Sequence, residues 1–186
     1  MGLWKRVNYL EDYVTTLNAK GKKRLVYQGD LFQCTADDTA WRRYRRIVLV
    51  EALLALILCA VASLVDPSSL RITGAYYVLF PYAALFLATV FGGARAVHLQ
   101  FLRREIERMD YDKCIISLRR WTLATVVLGA AAGIAQIVYI FLQQAFAFQD
   151  WATAILCLFA GGLAWCSRSI LARYPYENIG KAPPVS

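Results

Sequence analysis

The stretch that decides the fold is RRYRRIVLVEALLALILCAVASL, residues 42–64, in which four arginines precede eighteen residues with a single charge. A helix rises about 1.5 Å per residue, and a hydrocarbon core is about 30 Å thick, so such a stretch approaches the length of a membrane span. Three further apolar stretches follow. The sequence therefore predicts an all-α integral membrane protein with four transmembrane helices in two antiparallel hairpins, at about 47–65, 75–97, 121–142 and 151–170.

Basic residues are concentrated on one side of these spans. Of the 21 Lys and Arg residues, ten precede residue 47, seven lie at 95–120, three follow Trp165 and only Arg71 lies elsewhere. Because basic residues beside spans stay on the cytoplasmic side, we expect both termini in the cytoplasm of an integral plasma (inner) membrane protein. The formal net charge of +8 then reflects topology and attraction to anionic lipid, and we expect no nucleic acid partner.

Segments that precede or connect the spans also carry information about the compartment. Residues 1–46 contain no compact apolar run of the kind found in cleavable signal peptides, so we expect the first span to direct insertion. The five cysteines form no CxxC pair, and neither predicted external turn, at 65–74 and 143–150, contains one. This usage fits a reducing inner compartment and argues against a disulfide framework or a four-helix thiol oxidoreductase.

Residues 1–38 are predicted to form a cytoplasmic unit, ahead of a transmembrane domain at 39–176 and a Pro-containing cytoplasmic tail at 177–186. Apolar residues near the start recur at helical spacing and predict an amphipathic helix of about four turns. Its polar face carries both signs of charge, so we expect it to dock on protein rather than to lie in the lipid interface. The predicted docking residues are Leu3, Val7, Leu10, Val14 and Leu17.

Two short β-prone runs, 25–27 and 31–33, flank Gly29 and Asp30 and predict a small β-hairpin. Because a two-stranded ribbon alone is marginal in water, we expect the hairpin to pack on an inner loop or on another subunit. The N-cap residues at 35–38 then predict the start of a helix that continues into the first span.

The two halves of the chain share a weak pattern, since each begins with an arginine pair beside an aromatic residue and later carries a glycine pair. This pattern suggests a parallel repeat of two helical hairpins, although glycine pairs and flanking arginines are also common in unrelated membrane helices. Small residues let helix backbones approach closely, and we expect them to seal the bundle internally, the alternative being a contact that builds a dimer. The candidate packing residues are Gly129, Gly133, Gly161 and Gly162.

Glu51 is the principal ionisable residue at membrane depth, where charged groups are costly and usually functional. Arg95 lies at the matching end of the second span, so one interpretation is a structural ion pair between Glu51 and Arg95. The other interpretation makes Glu51 a proton or cation coupling group. Gln136, in the third span, is predicted to form a hydrogen bond between helices.

The sequence lacks the residue patterns that usually form enzyme active sites. His98 is the only histidine, and the sequence contains neither a GxSxG elbow nor a GxxxxGK loop. A zinc site formed by Cys34, His98, Cys114 and Asp112 is stereochemically conceivable, but these residues have no paired ligand spacing. We therefore predict no catalytic residue, no cofactor and no metal.

The predicted external turns are too short for a receptor domain, whereas the inner face presents the helix, the hairpin, the tail and a charged helical extension at 101–120. Our leading hypothesis is an accessory or structural subunit of a membrane assembly, such as a transporter complex. Its partners would be the lipid bilayer and other membrane or cytoplasmic subunits, or a second copy of itself. The alternatives are a small oligomeric transporter or channel using Glu51 and, third, a membrane enzyme acting on lipid head groups.

Overall fold

A computed structural model of the chain describes residues 9–17, 23–65, 67–71, 75–144 and 146–182. In this part of the chain, five short strands accompany four long helices, and two short α-helices, a 3₁₀ turn and a π-helical turn complete the structure. The elements in chain order are the 3₁₀ turn Tyr9–Asp12, β1 (Tyr13–Leu17), β2 (Lys23–Tyr27), β3 (Asp30–Cys34), α1 (Asp38–Leu64), α2 (Ser68–Arg71), α3 (Tyr76–Phe101), β4 (Glu105–Glu107), α4 (Arg108–Asp110), the π turn Tyr111–Ile116, α5 (Ser117–Gln143), α6 (Phe148–Arg173) and β5 (Tyr176–Lys181).

Helices α1, α3, α5 and α6 are each long and apolar enough to cross a membrane. This finding confirms the predicted number of helices that are long and apolar enough to span a membrane. Helix α1 starts well before its apolar stretch, because the Asp37 side chain accepts a hydrogen bond from the backbone nitrogen of Ala40 at 2.6 Å. Such a cap satisfies one of the free N–H groups at a helix start, as the sequence predicts here.

The four long helices form a closed ring, in which α1 and α5 each pack against both α3 and α6. Small residues set the closest approach: a Cβ built on Gly129 of α5 would lie 2.8 Å from the Gly161 Cα of α6. The outer faces carry exposed apolar side chains, among them Leu53, Phe80 and Phe141. Lipid tails are as apolar as these side chains, so this surface is suited to a bilayer.

The predicted N-terminal amphipathic helix is wrong over the described residues. The turn Tyr9–Asp12 is followed by β1, which pairs antiparallel with β2. The β1 sequence YVTTL joins an aromatic residue to three β-branched ones, and such residues favour a strand over a helix. Among the predicted docking residues, Val14 and Leu17 lie in β1 and Leu10 in the turn, whereas Leu3 and Val7 lie outside the described residues.

The predicted hairpin between 25–27 and 31–33 is wrong in its pairing. Both runs are strands, but β2 pairs with β1, whereas β3 is the central strand of an antiparallel sheet of order β4-β3-β5. The chain passes from β2 to β3 through a crowded bend. A Cβ on Gly29 would lie 2.6 Å from the Tyr27 hydroxyl oxygen and 2.7 Å from the Asp12 Cγ, so any larger residue would have to displace these side chains.

Two strands occupy segments for which the sequence predicts other structure. Strand β4 interrupts the predicted helical extension at 101–120, and β5 forms within the predicted tail at 177–186. Helix α3 ends at Phe101, where Leu102 adopts an extended conformation, and the Arg45 guanidinium binds the carbonyl oxygens of Gln100 at 2.7 Å and Leu102 at 3.1 Å. These hydrogen bonds satisfy carbonyl groups that a helix end leaves free.

The β4-β3-β5 sheet packs on one end of the bundle, which we call the sheet end. Phe32 of β3 stacks on Tyr111 with 4.2 Å between ring centroids, and Tyr176 of β5 meets Trp41 edge-on at 5.8 Å. Buried residues of the sheet and of the helix ends form one continuous apolar core. Because β3 pairs with β5, segments from near the two ends of the chain lie at the same end of the bundle.

Candidate functional site

Glu51 lies inside the bundle, on the face of α1 that turns toward α6. Its carboxylate accepts a hydrogen bond from the Ser167 hydroxyl of α6 at 2.5 Å. The side chain is partly buried, so Glu51 places an ionisable group in a largely apolar setting.

A small cavity of about 20 Å³ adjoins Glu51. All four long helices line it, and small residues on three of them leave the space open. A cavity needs about 10–15 Å³ and two or more polar partners to hold a water molecule, so this cavity has room for about one. Most of the lining is apolar or glycine, and its polar side chains are those of Glu51, Thr89, Thr122, Thr125 and Ser167.

Three threonines of the cavity share one arrangement. Thr89 donates its hydroxyl proton to the Phe86 carbonyl at 2.7 Å, and Thr125 donates to the Trp121 carbonyl at 2.9 Å. Thr122 does the same toward Arg119 at 3.1 Å. Such bonds to the preceding turn are common for threonine in helices. Each hydroxyl is therefore satisfied within its own helix.

Arg95 does not join this site. Within the described residues no ion pair links Arg95 to Glu51, and the ion pair found there joins Arg104 to Asp38 at 3.3 Å. The carboxylate of Glu51 turns toward α6, whereas Arg95 lies on α3. The structure therefore does not bring the two predicted partners together as an ion pair.

A second buried polar group lies at the opposite end of the bundle, centred on Asp150 in the first turn of α6. Asp150 is fully buried. Its carboxylate accepts hydrogen bonds from the Ser68 backbone nitrogen at 3.0 Å, the Ser68 hydroxyl at 2.8 Å and the Gln136 amide nitrogen at 3.1 Å. Ser69 donates to the other end of the Gln136 amide at 2.7 Å. We call these four side chains the Asp150 network.

Each side-chain oxygen and nitrogen of the Asp150 network has a hydrogen-bond partner, and this indicates a structural role. Buried polar groups with all their partners rigidify the elements that they join. Here they fasten α2, in the connection between α1 and α3, to the α5–α6 hairpin. Sequence reasoning found Gln136 as a hydrogen-bonding residue between helices but missed Asp150, because it placed that residue in an exposed turn.

The β1–β2 hairpin is attached to the sheet end through tyrosines at its base. Tyr13 donates to the Glu107 carboxylate, and the backbone nitrogen of Arg108 donates to the Tyr27 hydroxyl at 3.0 Å. The hydrogen bond to Glu107, together with burial, raises the pKa of Tyr13 to about 12. Tyr13 therefore remains a neutral donor at any physiological pH.

The four predicted packing glycines differ in their surroundings. Gly129 faces the α6 backbone, with a built Cβ 2.8 Å from the Gly161 Cα and 2.9 Å from the Cys157 carbonyl oxygen. A Cβ on Gly133 would meet the Leu158 side chain at 2.6 Å, whereas one on Gly161 would reach ordinary contact distance at 3.4 Å. A Cβ on Gly162 would have nothing within 4 Å.

The conceivable zinc ligands do not form a centre. Over the described ranges, no group of three or more His, Cys, Asp and Glu side chains is placed to hold a metal ion. Burial also raises the pKa of the Cys34 thiol, and a thiol that resists ionisation is a poor metal ligand.

Comparisons with known proteins add no functional information. The function must therefore be inferred from the cavity at Glu51, the Asp150 network and the surface of the sheet end. No protein-family model, no curated protein and no solved structure matches this chain.

Proposed function

We propose that the protein is an accessory or structural subunit of a membrane assembly and binds a protein partner through the β1–β2 hairpin at its sheet end. The observation that carries this proposal is the exposure of apolar side chains on the hairpin. Leu25 is 65% exposed and Val14 is 43% exposed. The described hydrogen bonds that attach the hairpin lie at its base, through Tyr13 and Tyr27.

A two-stranded ribbon of this kind is marginally stable unless something covers it. Its outer edges present unpaired backbone groups, and its exposed apolar residues gain free energy when a partner removes them from water. Val14 lies opposite Val26, and Leu25 lies opposite Thr15. Opposed residues share a face and successive residues alternate, so Val14 and Leu25 lie on opposite faces of the hairpin. Apolar side chains are therefore presented on both faces, and a partner that clasps the hairpin would bury them together.

Leu25→Asp is expected to reduce the yield of co-purifying partner chains about tenfold, because an aspartate desolvated in an apolar interface loses far more than about 1.4 kcal/mol. The measurement is gentle detergent extraction from native membranes, followed by mass analysis of the chains that elute with each variant. Ile179→Asp is the matched control, since Ile179 is 49% exposed but lies in β5 of the other sheet. Equal yields from wild type and Leu25→Asp would contradict docking through the hairpin.

We further propose that the sheet end faces the cytoplasm and that the membrane is the plasma (inner) membrane. The distribution of basic residues along the sequence supports this orientation, since twenty of the 21 precede residue 47, lie at 95–120 or follow Trp165. The matching roles of two arginines support the parallel repeat: Arg45 binds carbonyls at the end of α3, and Arg119 binds the Leu171 carbonyl near the end of α6 at 3.0 Å.

Reporter fusions test the orientation. Green fluorescent protein fused after Ser186 is expected to fluoresce, because that reporter folds in the cytoplasm. Alkaline phosphatase fused after Phe146, in the connection between α5 and α6, is expected to be active, because that enzyme needs the external compartment. The reciprocal fusions serve as controls. An active phosphatase after Ser186 would contradict cytoplasmic termini.

A second candidate function is a small oligomeric transporter or channel in which Glu51 couples to a proton or a cation. The observation that favours this function is the carboxylate beside a cavity shared by all four long helices. Among the described residues Glu51 has a hydroxyl partner but no ion-pair partner. Ionisable residues within a membrane-spanning segment are candidates for ion or proton pathways.

A further inference from the structure

We propose that a groove between α1 and α6, at the sheet end, binds the phosphate head group of one anionic phospholipid. The groove has a volume of about 510 Å³. Its lining includes Arg43 of α1 and Arg173 of α6, whose side chains are exposed, so the groove is open to the surroundings of the bundle. This inference goes beyond the proposed function, since it concerns neither a protein partner nor Glu51.

The two arginines lie at the depth of lipid head groups. Arg43 lies four residues before Ile47, the first residue of the apolar stretch in α1. Arg173 lies three residues after Ile170, in the last turn of α6. One helical turn spans about 5.4 Å, and the head-group layer on each side of the hydrocarbon core is about 5–8 Å thick. Each arginine therefore lies about one turn outside the hydrocarbon, at the level of the lipid phosphates.

The protein does not neutralise the positive charge of this groove. Among the described residues, Arg43 and Arg173 form no ion pair. Two carboxylates lie at the start of α1, but both are engaged within the protein: Asp38 pairs with Arg104 at 3.3 Å, and Asp37 caps the helix. Guanidinium groups bind phosphate oxygens through paired N–H donors, so two of them in one groove favour a phosphate ligand.

An adjoining groove on α1 adds to the positive charge. It shares Arg43 and Ile47 with the first groove, and its lining also includes Arg42 and Arg46. The arginines of the two grooves therefore form one basic patch at the boundary of the membrane. Basic pockets between transmembrane helices are typical sites for anionic lipid head groups, and each Lys or Arg near the membrane surface adds to the attraction.

The apolar end of the groove favours a lipid over a soluble phosphate. Ile47 and Ile170 line it from the two helices, and both are partly buried. Beyond Ile47, exposed apolar residues continue along α1 at the spacing of a single helical face, namely Val50, Leu54 and Ile57. A phospholipid held by its phosphate can lay an acyl chain along these residues, whereas a soluble phosphate gains nothing from them.

The purified protein in nanodiscs of equal parts phosphatidylglycerol and phosphatidylcholine tests the site. Native mass spectrometry of the released protein is expected to show one retained lipid, with phosphatidylglycerol favoured about tenfold. Arg43→Gln combined with Arg173→Gln should abolish this preference. The matched control is Arg103→Gln combined with Arg120→Gln, which removes the same formal charge from exposed residues outside both grooves and should keep the preference.

Equal retention of the two lipids by the wild type would overturn the proposal. Equal loss of preference in the two double variants would also overturn it, because the attraction would then come from net charge rather than from the groove.

Thermal unfolding distinguishes a lipid from a soluble phosphate. In nanodiscs of phosphatidylcholine alone, the groove variant, Arg43→Gln combined with Arg173→Gln, should have the Tm of wild type, which shows that it folds. Replacing half of the lipid with phosphatidylglycerol should raise the Tm of wild type but not that of the groove variant. Millimolar inorganic phosphate should leave the Tm of wild type unchanged. A rise with inorganic phosphate as large as that with phosphatidylglycerol would overturn the assignment to a lipid.

Discussion

Asp150→Ala is expected to lower the free energy of unfolding by about 2–4 kcal/mol, because it leaves buried donors without an acceptor. The wild-type carboxylate accepts three hydrogen bonds, two from Ser68 and one from the Gln136 amide. Gln136 is 1% exposed, so water cannot readily replace the lost acceptor. Unfolding of the purified protein in mild detergent by added denaturing detergent measures the change.

Two variants control this experiment. Gln149→Ala changes the preceding residue, which is exposed, and should leave stability within about 0.5 kcal/mol of wild type. Asp150→Asn retains one acceptor oxygen and should fall between wild type and Asp150→Ala. If Asp150→Ala unfolds at the same denaturant concentration as Gln149→Ala, then the Asp150 network does not stabilise the bundle.

The long helices could be predicted because their signal is local. Length and hydrophobicity identify a membrane span without knowledge of its neighbours, and Asp37 is a local N-cap signal for α1. The strand partners could not be predicted in this way. Strand β3 pairs with β5 from near the other end of the chain, and no periodicity within either segment identifies such a distant partner.

The prediction for the β1 segment is wrong because its apolar spacing fits a helix, whereas its β-branched residues form a strand.

The candidate site was predicted in part. Glu51 was singled out because an intramembrane charge is visible in the sequence, but its partner proved to be Ser167 rather than Arg95. The error came from pairing Glu51 with the next helix along the chain, although α1 packs against α6 as well as α3. The contact between Gln136 and Asp150 could have been predicted from their spacing in the sequence. Each lies seven residues from Gln143, at the end of α5, so an antiparallel hairpin places them at one level.

Gly129→Leu is expected to disrupt the contact between α5 and α6 and to abolish the folded bundle at moderate detergent concentrations. Even the Cβ of Gly129→Ala would lie 2.8 Å from the Gly161 Cα and 2.9 Å from the Cys157 carbonyl oxygen. Both are backbone atoms, so a whole helix must shift. Overpacking of this kind costs about 1–3 kcal/mol for a small group, and leucine adds three further carbons.

The neighbouring glycines supply a graded control series for this prediction. Gly161→Ala meets its nearest atom at 3.4 Å and should be tolerated, and Gly162→Ala meets nothing within 4 Å and should match wild type. All three alanine variants make the same chemical change in a helix, so intrinsic helix preference cancels between them. The order of stability should therefore be Gly162→Ala, Gly161→Ala and then Gly129→Ala. If Gly129→Ala is as stable as Gly162→Ala, the close approach of α5 and α6 at this level is not what holds the bundle together.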